Sequence, residues 1–199
     1  MPGSLSSLCA DMSTAKPTRT PRHAVVSLRV PGADWVRLTR PSIESYAERF
    51  GLEVVDLETK GLNLEVLRWR RRHRNLHLEK FQIFEILEEY DRVLYLDADI
   101  LVHPKAPNVF EVVPEGSIGV VNEQLNAEQS KREQEWRRMQ RRLGKLDETP
   151  QRYFNAGMLV VSRDHRELFN YKRLIFASGR WPDQNTLNYY ARKQGFPIH

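Results

Sequence analysis

Asp97, Ala98 and Asp99 follow directly on the apolar run Arg92-Val93-Leu94-Tyr95-Leu96, and two carboxylates placed one residue apart at the end of such a run can hold a metal ion. In an extended segment residues i and i+2 point to the same side with Cα atoms ~6.6 Å apart, so both carboxylates converge on one ion. Hard oxygen ligands of this kind select Mg²⁺ or Mn²⁺. Two carboxylates leave the rest of an octahedral shell to other oxygens, substrate phosphates among them, and a cation there offsets the charge that builds on a departing diphosphate. An acidic pair after an apolar strand also arises from turn capping alone, and the tripeptide by itself does not separate the two.

Two later stretches carry polar groups in unusual places. In Tyr153-Phe154-Asn155-Ala156-Gly157-Met158-Leu159-Val160-Val161 an Asn and a Gly interrupt an apolar strand. Glycine within a strand often marks close approach of a ligand to the backbone, and a buried Asn amide needs partners, which sugar hydroxyls or a neighbouring loop would equally supply. Trp181-Pro182-Asp183-Gln184 opens a helix that continues through Leu187-Asn188-Tyr189-Tyr190. Capping and the helix dipole account for Asp183 without any ligand.

The elements around these residues alternate. Residues 24–30 read as a buried strand, Pro31-Gly32 breaks it, and a helix follows to about Phe50, closed by Gly51 before a second strand over Glu53–Leu57. From Leu78 to Tyr90 the apolar Phe81, Phe84 and Leu87 recur at helical spacing opposite Glu79, Lys80, Gln82, Glu85, Glu88 and Glu89. That helix leads into the strand before Asp97. Further strands are expected over 117–121 and 153–162, and helices over 125–143, 164–178 and 183–193. Strand and helix in alternation imply a parallel α/β sheet covered on both faces.

A chain of 199 residues with 40% hydrophobic content has material for one core. Residues 1–22, rich in Ser, Thr, Pro and basic side chains, read as an unpacked leader, which leaves 23–199 as a single domain. No apolar run is long enough to span a membrane or to serve as a secretory signal, and the single cysteine, Cys9, has no partner for an internal disulfide, so the expected location is cytoplasmic. The net charge of +5 is concentrated in Arg68–Arg74 and in Lys131–Lys145. Solvated loop and helix faces explain both; the competing reading is an Arg-rich nucleic-acid-binding domain. A nucleotidyltransferase ranks lower, because only Pro31-Gly32 stands where such an enzyme carries a Gly-rich basic loop.

Taken together, Leu94-Tyr95-Leu96-Asp97-Ala98-Asp99-Ile100-Leu101-Val102, Phe154-Asn155-Ala156-Gly157 and Asp183-Gln184 with Leu187-Asn188 resemble the family 8 glycosyltransferases, the glycogenin and galactosyltransferase group, and their compact viral and bacterial relatives. Lys80 matches the lysine that opens the family's helix before the acidic strand; from the residues alone it would be an ordinary exposed lysine. The resemblance implies a three-layer α/β/α GT-A domain, Rossmann-like, with a mainly parallel sheet. It implies Mn²⁺ or Mg²⁺ on Asp97 and Asp99, and a nucleotide-sugar donor, expected to be a UDP-sugar, contacted by Lys80, Asp97, Ala98, Asp99, Asn155, Asp183 and Gln184. Asn155, Asp183 and Gln184 would orient the transferred hexose at the reacting face, with retention of configuration. The residues alone do not decide between retention and inversion. The acceptor, whether glycan, protein or small molecule, is not identified, and neither nucleic acid nor a membrane span is expected. The family's distant His-x-x-Gly-x-x-Lys-type segment finds no match before His199, which reads as the start of another strand. The alternative is therefore a nucleotide-sugar-binding protein that lacks part of the catalytic apparatus.

Overall fold

A computed structural model describes residues 20–30, 32–59, 76–122, 129–146, 153–176 and 179–199. The expected leader, apart from residues 20–22, and the Arg68–Arg74 stretch lie outside the described residues.

Five strands, β1 (His23–Leu28), β2 (Glu53–Leu57), β3 (Arg92–Leu96), β4 (Gly119–Asn122) and β5 (Phe154–Ser162), form one sheet in the order β2-β1-β3-β5-β4. β1 pairs in parallel with β2 and β3, while β5 runs antiparallel to β3 and β4, so β5 alone reverses the common direction. β1 and β3 are apolar along nearly their whole length because both their faces are covered. On one face α1 (Val36–Arg49) packs Ile43, Tyr46 and Ala47 against Val25, Leu94, Leu96 and Val160. On the other, Phe81, Ile83, Leu87, Phe169 and Leu187 cover Val26, Val93, Tyr95 and Val161. Odd and even strand positions thus feed different layers, and the domain is the expected α/β/α sandwich. α2 (Ile83–Glu89), α3 (Val109–Val112), α4 (Gln129–Leu143) and α5 (Pro182–Lys193) complete the described α-helices. Among the described residues no helix is long and apolar enough to cross a membrane. At the β4 edge Ile198 bridges Ile118 in parallel, and His199 N donates to Ile118 O at 2.9 Å, in keeping with a strand start there.

Two helices differ from the sequence reading. Leu76–Gln82 is 3₁₀ and only Ile83–Glu89 is α-helical. Three residues per turn present different side chains inward than 3.6 do, and Glu79, Lys80 and Gln82, expected on the solvent face, are buried at 5%, 1% and 8% exposure. Gln82 Nε2 donates to Glu58 O and Glu79 Oε2 at 2.8 and 2.9 Å, so its burial leaves no amide hydrogen stranded. The expected helix over 164–178 is instead a pair of 3₁₀ segments, Arg163–Phe169 and Tyr171–Phe176. The first is fixed at its start by Ser162 N donating to His165 Nδ1 at 2.9 Å. The opening residues of the helix expected from 125, up to 128, lie outside the described residues.

Candidate functional site

Where β3 ends, the hydrogen-bond ladder of β5 passes from a strand to side chains. The last β3–β5 pair is Leu96 with Met158. Asp97 N then donates to Gly157 O at 2.7 Å and Ile100 N to Asp97 O at 3.0 Å, so Asp97–Ile100 is a β-turn and not the extended segment that the spacing suggested. The two carboxylates leave from the corner of that turn. Thr39 Oγ1 of α1 holds it by donating to Ala98 O at 2.6 Å, and Val102 N donates to Ser42 Oγ at 3.0 Å.

The edge of β5 that β3 no longer covers would strand buried amides. Lys80 Nζ donates to Ala156 O at 2.8 Å, and Ala156 N donates to Gln184 Oε1 at 3.0 Å. Asn188 takes both sides of Phe154, accepting from its N at 2.9 Å and donating to its O at 2.8 Å. The first turns of α5 thereby do the work of a missing strand, and they bring Asp183 and Gln184 against the acidic turn.

Lys80 is the hub. At 1% exposure it lies 2.6 Å from Asp183 Oδ2 and 3.6 Å from Asp97 Oδ1. The exposed helix lysine that its own segment suggested is thus a buried cation. Asp183 does not act as a helix cap: its carboxylate faces Lys80, and it receives no hydrogen bond from the helix amides among the described residues. Tyr95 OH donates to Asp97 Oδ1 at 2.6 Å. Burial, followed by the charges of Asp97, Asp183 and Asp99, pushes the Tyr95 phenol well above its usual range, so it stays protonated and donates. Asn155 Oδ1 accepts from Gly157 N at 2.6 Å, and Asp99 is exposed at the mouth. The structure therefore brings Lys80, Asp97, Ala98, Asp99, Asn155, Asp183 and Gln184 to one place.

The donor chemistry of this place suits a hard dication. Asp97 and Asp183 face the single ammonium of Lys80, and with Asp99 exposed on the same turn the formal surplus is two negative charges. Asp183 is taken by Lys80 and Asp97 Oδ1 by Tyr95, which leaves Asp97 Oδ2 and the Asp99 carboxylate as the oxygens available to a cation. Among the described residues no third His, Cys, Asp or Glu joins them, so a cation held there would take its other oxygens from water or from a ligand.

Gly157 is required by this packing. A Cβ there would stand 2.8 Å from both Asn155 Oδ1 and Asp97 Oδ2, and relief would displace the very oxygens that line the site. Gly157→Ala is expected to leave the melting temperature nearly unchanged while weakening divalent-cation binding by about 10-fold or more. Titration calorimetry of the folded variant checks it, and wild-type affinity would remove Gly157 from the site.

Beside the turn, a cavity of about 310 Å³ opens at the C-terminal ends of β1 and β2, lined by Ser27, Arg29, Thr39, Arg40, Asp56 and Ala98 among others. Ligands of open α/β sheets bind outside the carboxyl ends of the strands. Sequence reasoning missed Tyr95, Thr39 and the role of Asn188. Tyr95 was within reach, since it lies two residues before Asp97 and side chains two apart share a face. Thr39 carries no local signal of its contact with Ala98.

The model of glycosyl transferase family 8 matches residues 25–186. Among solved structures, a glycosyltransferase involved in the glycosylation of the major capsid of PBCV-1 superposes with a TM-score of 0.56 at 17% identity, over 90% of this chain and 82% of that one. The apo structure of the bifunctional glycosyltransferase WbbM gives a TM-score of 0.56 at 17% identity, over 87% of this chain and 38% of that one. At such identities the likeness concerns the fold, and it is the GT-A arrangement expected from the sequence. No curated protein matches the sequence.

Proposed function

The chain belongs to glycosyl transferase family 8, and from that premise we propose that it moves a hexose-type sugar from a UDP-sugar to an acceptor, with retention and with the help of a divalent metal. That it is a glycosyltransferase using a nucleotide sugar follows from the family. The observation that supports the finer reading is the convergence of two carboxylates, Asp97 and Asp183, on one buried ammonium at the strand ends, with Asp99 on the same turn, next to the cavity beside Ala98.

In this reading Asp97 Oδ2 and Asp99 hold Mn²⁺ or Mg²⁺, which supplies Lewis-acid stabilisation of the departing diphosphate. Every other role falls to the chain's own groups. The cavity between β1, β2 and α1 takes the nucleoside, with Ser27, Arg29 and Asp56 as polar contacts. Gln184 spends its Oε1 on Ala156 N and keeps its Nε2 for a sugar hydroxyl. Asn155, braced by Gly157 N, and Asp183, braced by Lys80, present further acceptors to the sugar. Because these side chains are already locked by backbone partners, the sugar meets a preorganised wall.

The test is a UDP-release assay on the whole chain with Mn²⁺ and a panel of UDP-sugars, with the anomeric configuration of the product read by NMR. Mn²⁺-dependent release that EDTA abolishes is expected for one donor. Donor binding without hydrolysis or transfer would overturn the enzyme in favour of a nucleotide-sugar-binding protein.

A further inference from the structure

The two oxygens of Asp97 stand in different surroundings. Oδ1 accepts the Tyr95 hydroxyl at 2.6 Å and lies 3.6 Å from Lys80 Nζ. Oδ2 accepts no hydrogen bond among the described residues and lies on the side of Gly157, whose missing side chain leaves it room. A separation of 2.6 Å is the length of a charge-assisted O–H···O⁻ bond, the stronger kind. Lys80 is a poorer anchor for Asp97, since 3.6 Å exceeds a hydrogen bond and its ammonium is shared with Asp183 Oδ2 and Ala156 O.

Tyr95 itself has no freedom to follow a wandering carboxylate. It is 2% exposed and belongs to the apolar cluster under α2 and α5. Its backbone is paired on both sides, with Val26 of β1 and Leu159 of β5. Lys80 Nζ stands 5.1 Å from its ring centroid. The hydroxyl is therefore a fixed point at the floor of the acidic turn.

We propose that Tyr95 is a positioning residue for the metal: its hydroxyl pins Asp97 through Oδ1, so that Oδ2 alone is offered to the divalent cation. This rests on the reading of Asp97 and Asp99 as metal ligands. A carboxylate held by one oxygen coordinates through the other, and single-oxygen ligation suits the compact octahedral shells of Mg²⁺ and Mn²⁺, whereas Ca²⁺ readily takes a carboxylate by both oxygens. Without the hydroxyl, the Asp97 carboxylate is held by Lys80 alone, Oδ1 turns further toward the ammonium, and both affinity and ion preference change.

Mn²⁺ and, separately, Ca²⁺ binding to the full chain, measured with and without UDP, tests this without any turnover. Tyr95→Phe is expected to weaken Mn²⁺ binding about 10–100-fold, as loss of a hydrogen bond to a ligating side chain does, and to weaken Ca²⁺ binding less, so that the Mn²⁺ preference falls. Val93→Ala, which thins the same core without touching Asp97, is expected to keep wild-type Mn²⁺ affinity. Unchanged Mn²⁺ affinity in Tyr95→Phe overturns the inference, and so does an equal loss for both ions or a matching loss in Val93→Ala. A wild-type chain that binds no Mn²⁺ even with UDP overturns the metal reading as well, which tells the two failures apart.

Discussion

Lys80→Met is expected to destabilise the folded chain by about 3–5 kcal/mol, the usual result of removing one partner of a buried ion pair. For a protein of this size that is a fall on the order of 10 °C in melting temperature. The ammonium is 1% exposed, and the Asp183 side chain that it holds at 2.6 Å is 5% exposed, so water cannot take its place. Ala156 O would lose its donor at the same time. Methionine fills a similar volume, and the loss measured is therefore electrostatic and hydrogen-bonding, with little contribution from a cavity. The double variant Lys80→Met, Asp183→Leu should recover much of that stability, since replacing a whole buried pair by apolar groups is often neutral. It should stay inactive, because Asp183 no longer faces the site. Thermal unfolding of both variants, with UDP release alongside, separates stability from activity. A Lys80→Met protein that melts with the wild type would show that the carboxylates do not depend on the ammonium.

The burial of Lys80 also marks the limit of what the sequence discloses. Strand β3 stands where its apolar residues indicated, because a strand covered on both faces leaves few places for polar side chains. Helix α1 ends at Arg49 with Phe50 as its C-cap and Gly51 at φ +63°, the left-handed position that glycine takes after a helix C-terminus. The 3₁₀ segments were not legible, since Phe81, Phe84 and Leu87 recur at a spacing of three that fits either helix. Nor was the polar side of that segment, because Lys80 and Gln82 find partners elsewhere in the chain: Glu58, Asp97, Ala156 and Asp183. The gathering of Asp97, Asn155 and Asp183 was legible through the family resemblance. The reason they gather was not, because side chains completing the β5 ladder leave no mark in residue pattern.

Asp99→Asn isolates chemistry from architecture. Asp99 is exposed on the Asp97–Ile100 turn, whose geometry is held by backbone bonds and by Thr39, so the amide costs the fold little. A change within about 0.5 kcal/mol in stability is expected, as for other surface sites. The change in function should be large. With Asp97 Oδ1 tied to Tyr95 and Asp183 tied to Lys80, Asp99 is in the proposed function one of the two carboxylates left for the cation, and the neutral amide also removes half of the site's surplus charge. Metal ions contribute several kcal/mol of transition-state stabilisation, so kcat/KM for the donor should fall about 100–1000-fold. UDP release followed against Mn²⁺ concentration distinguishes the sources of that loss: a raised Mn²⁺ requirement with activity partly restored at high metal identifies Asp99 as a ligand. Full activity at the wild-type Mn²⁺ requirement would remove Asp99 from the metal site and leave Asp97 as its one carboxylate. Binding of the variant to DNA or RNA with steep salt dependence, where wild-type chain binds equally, would instead favour the basic surface of α4 as the functional face.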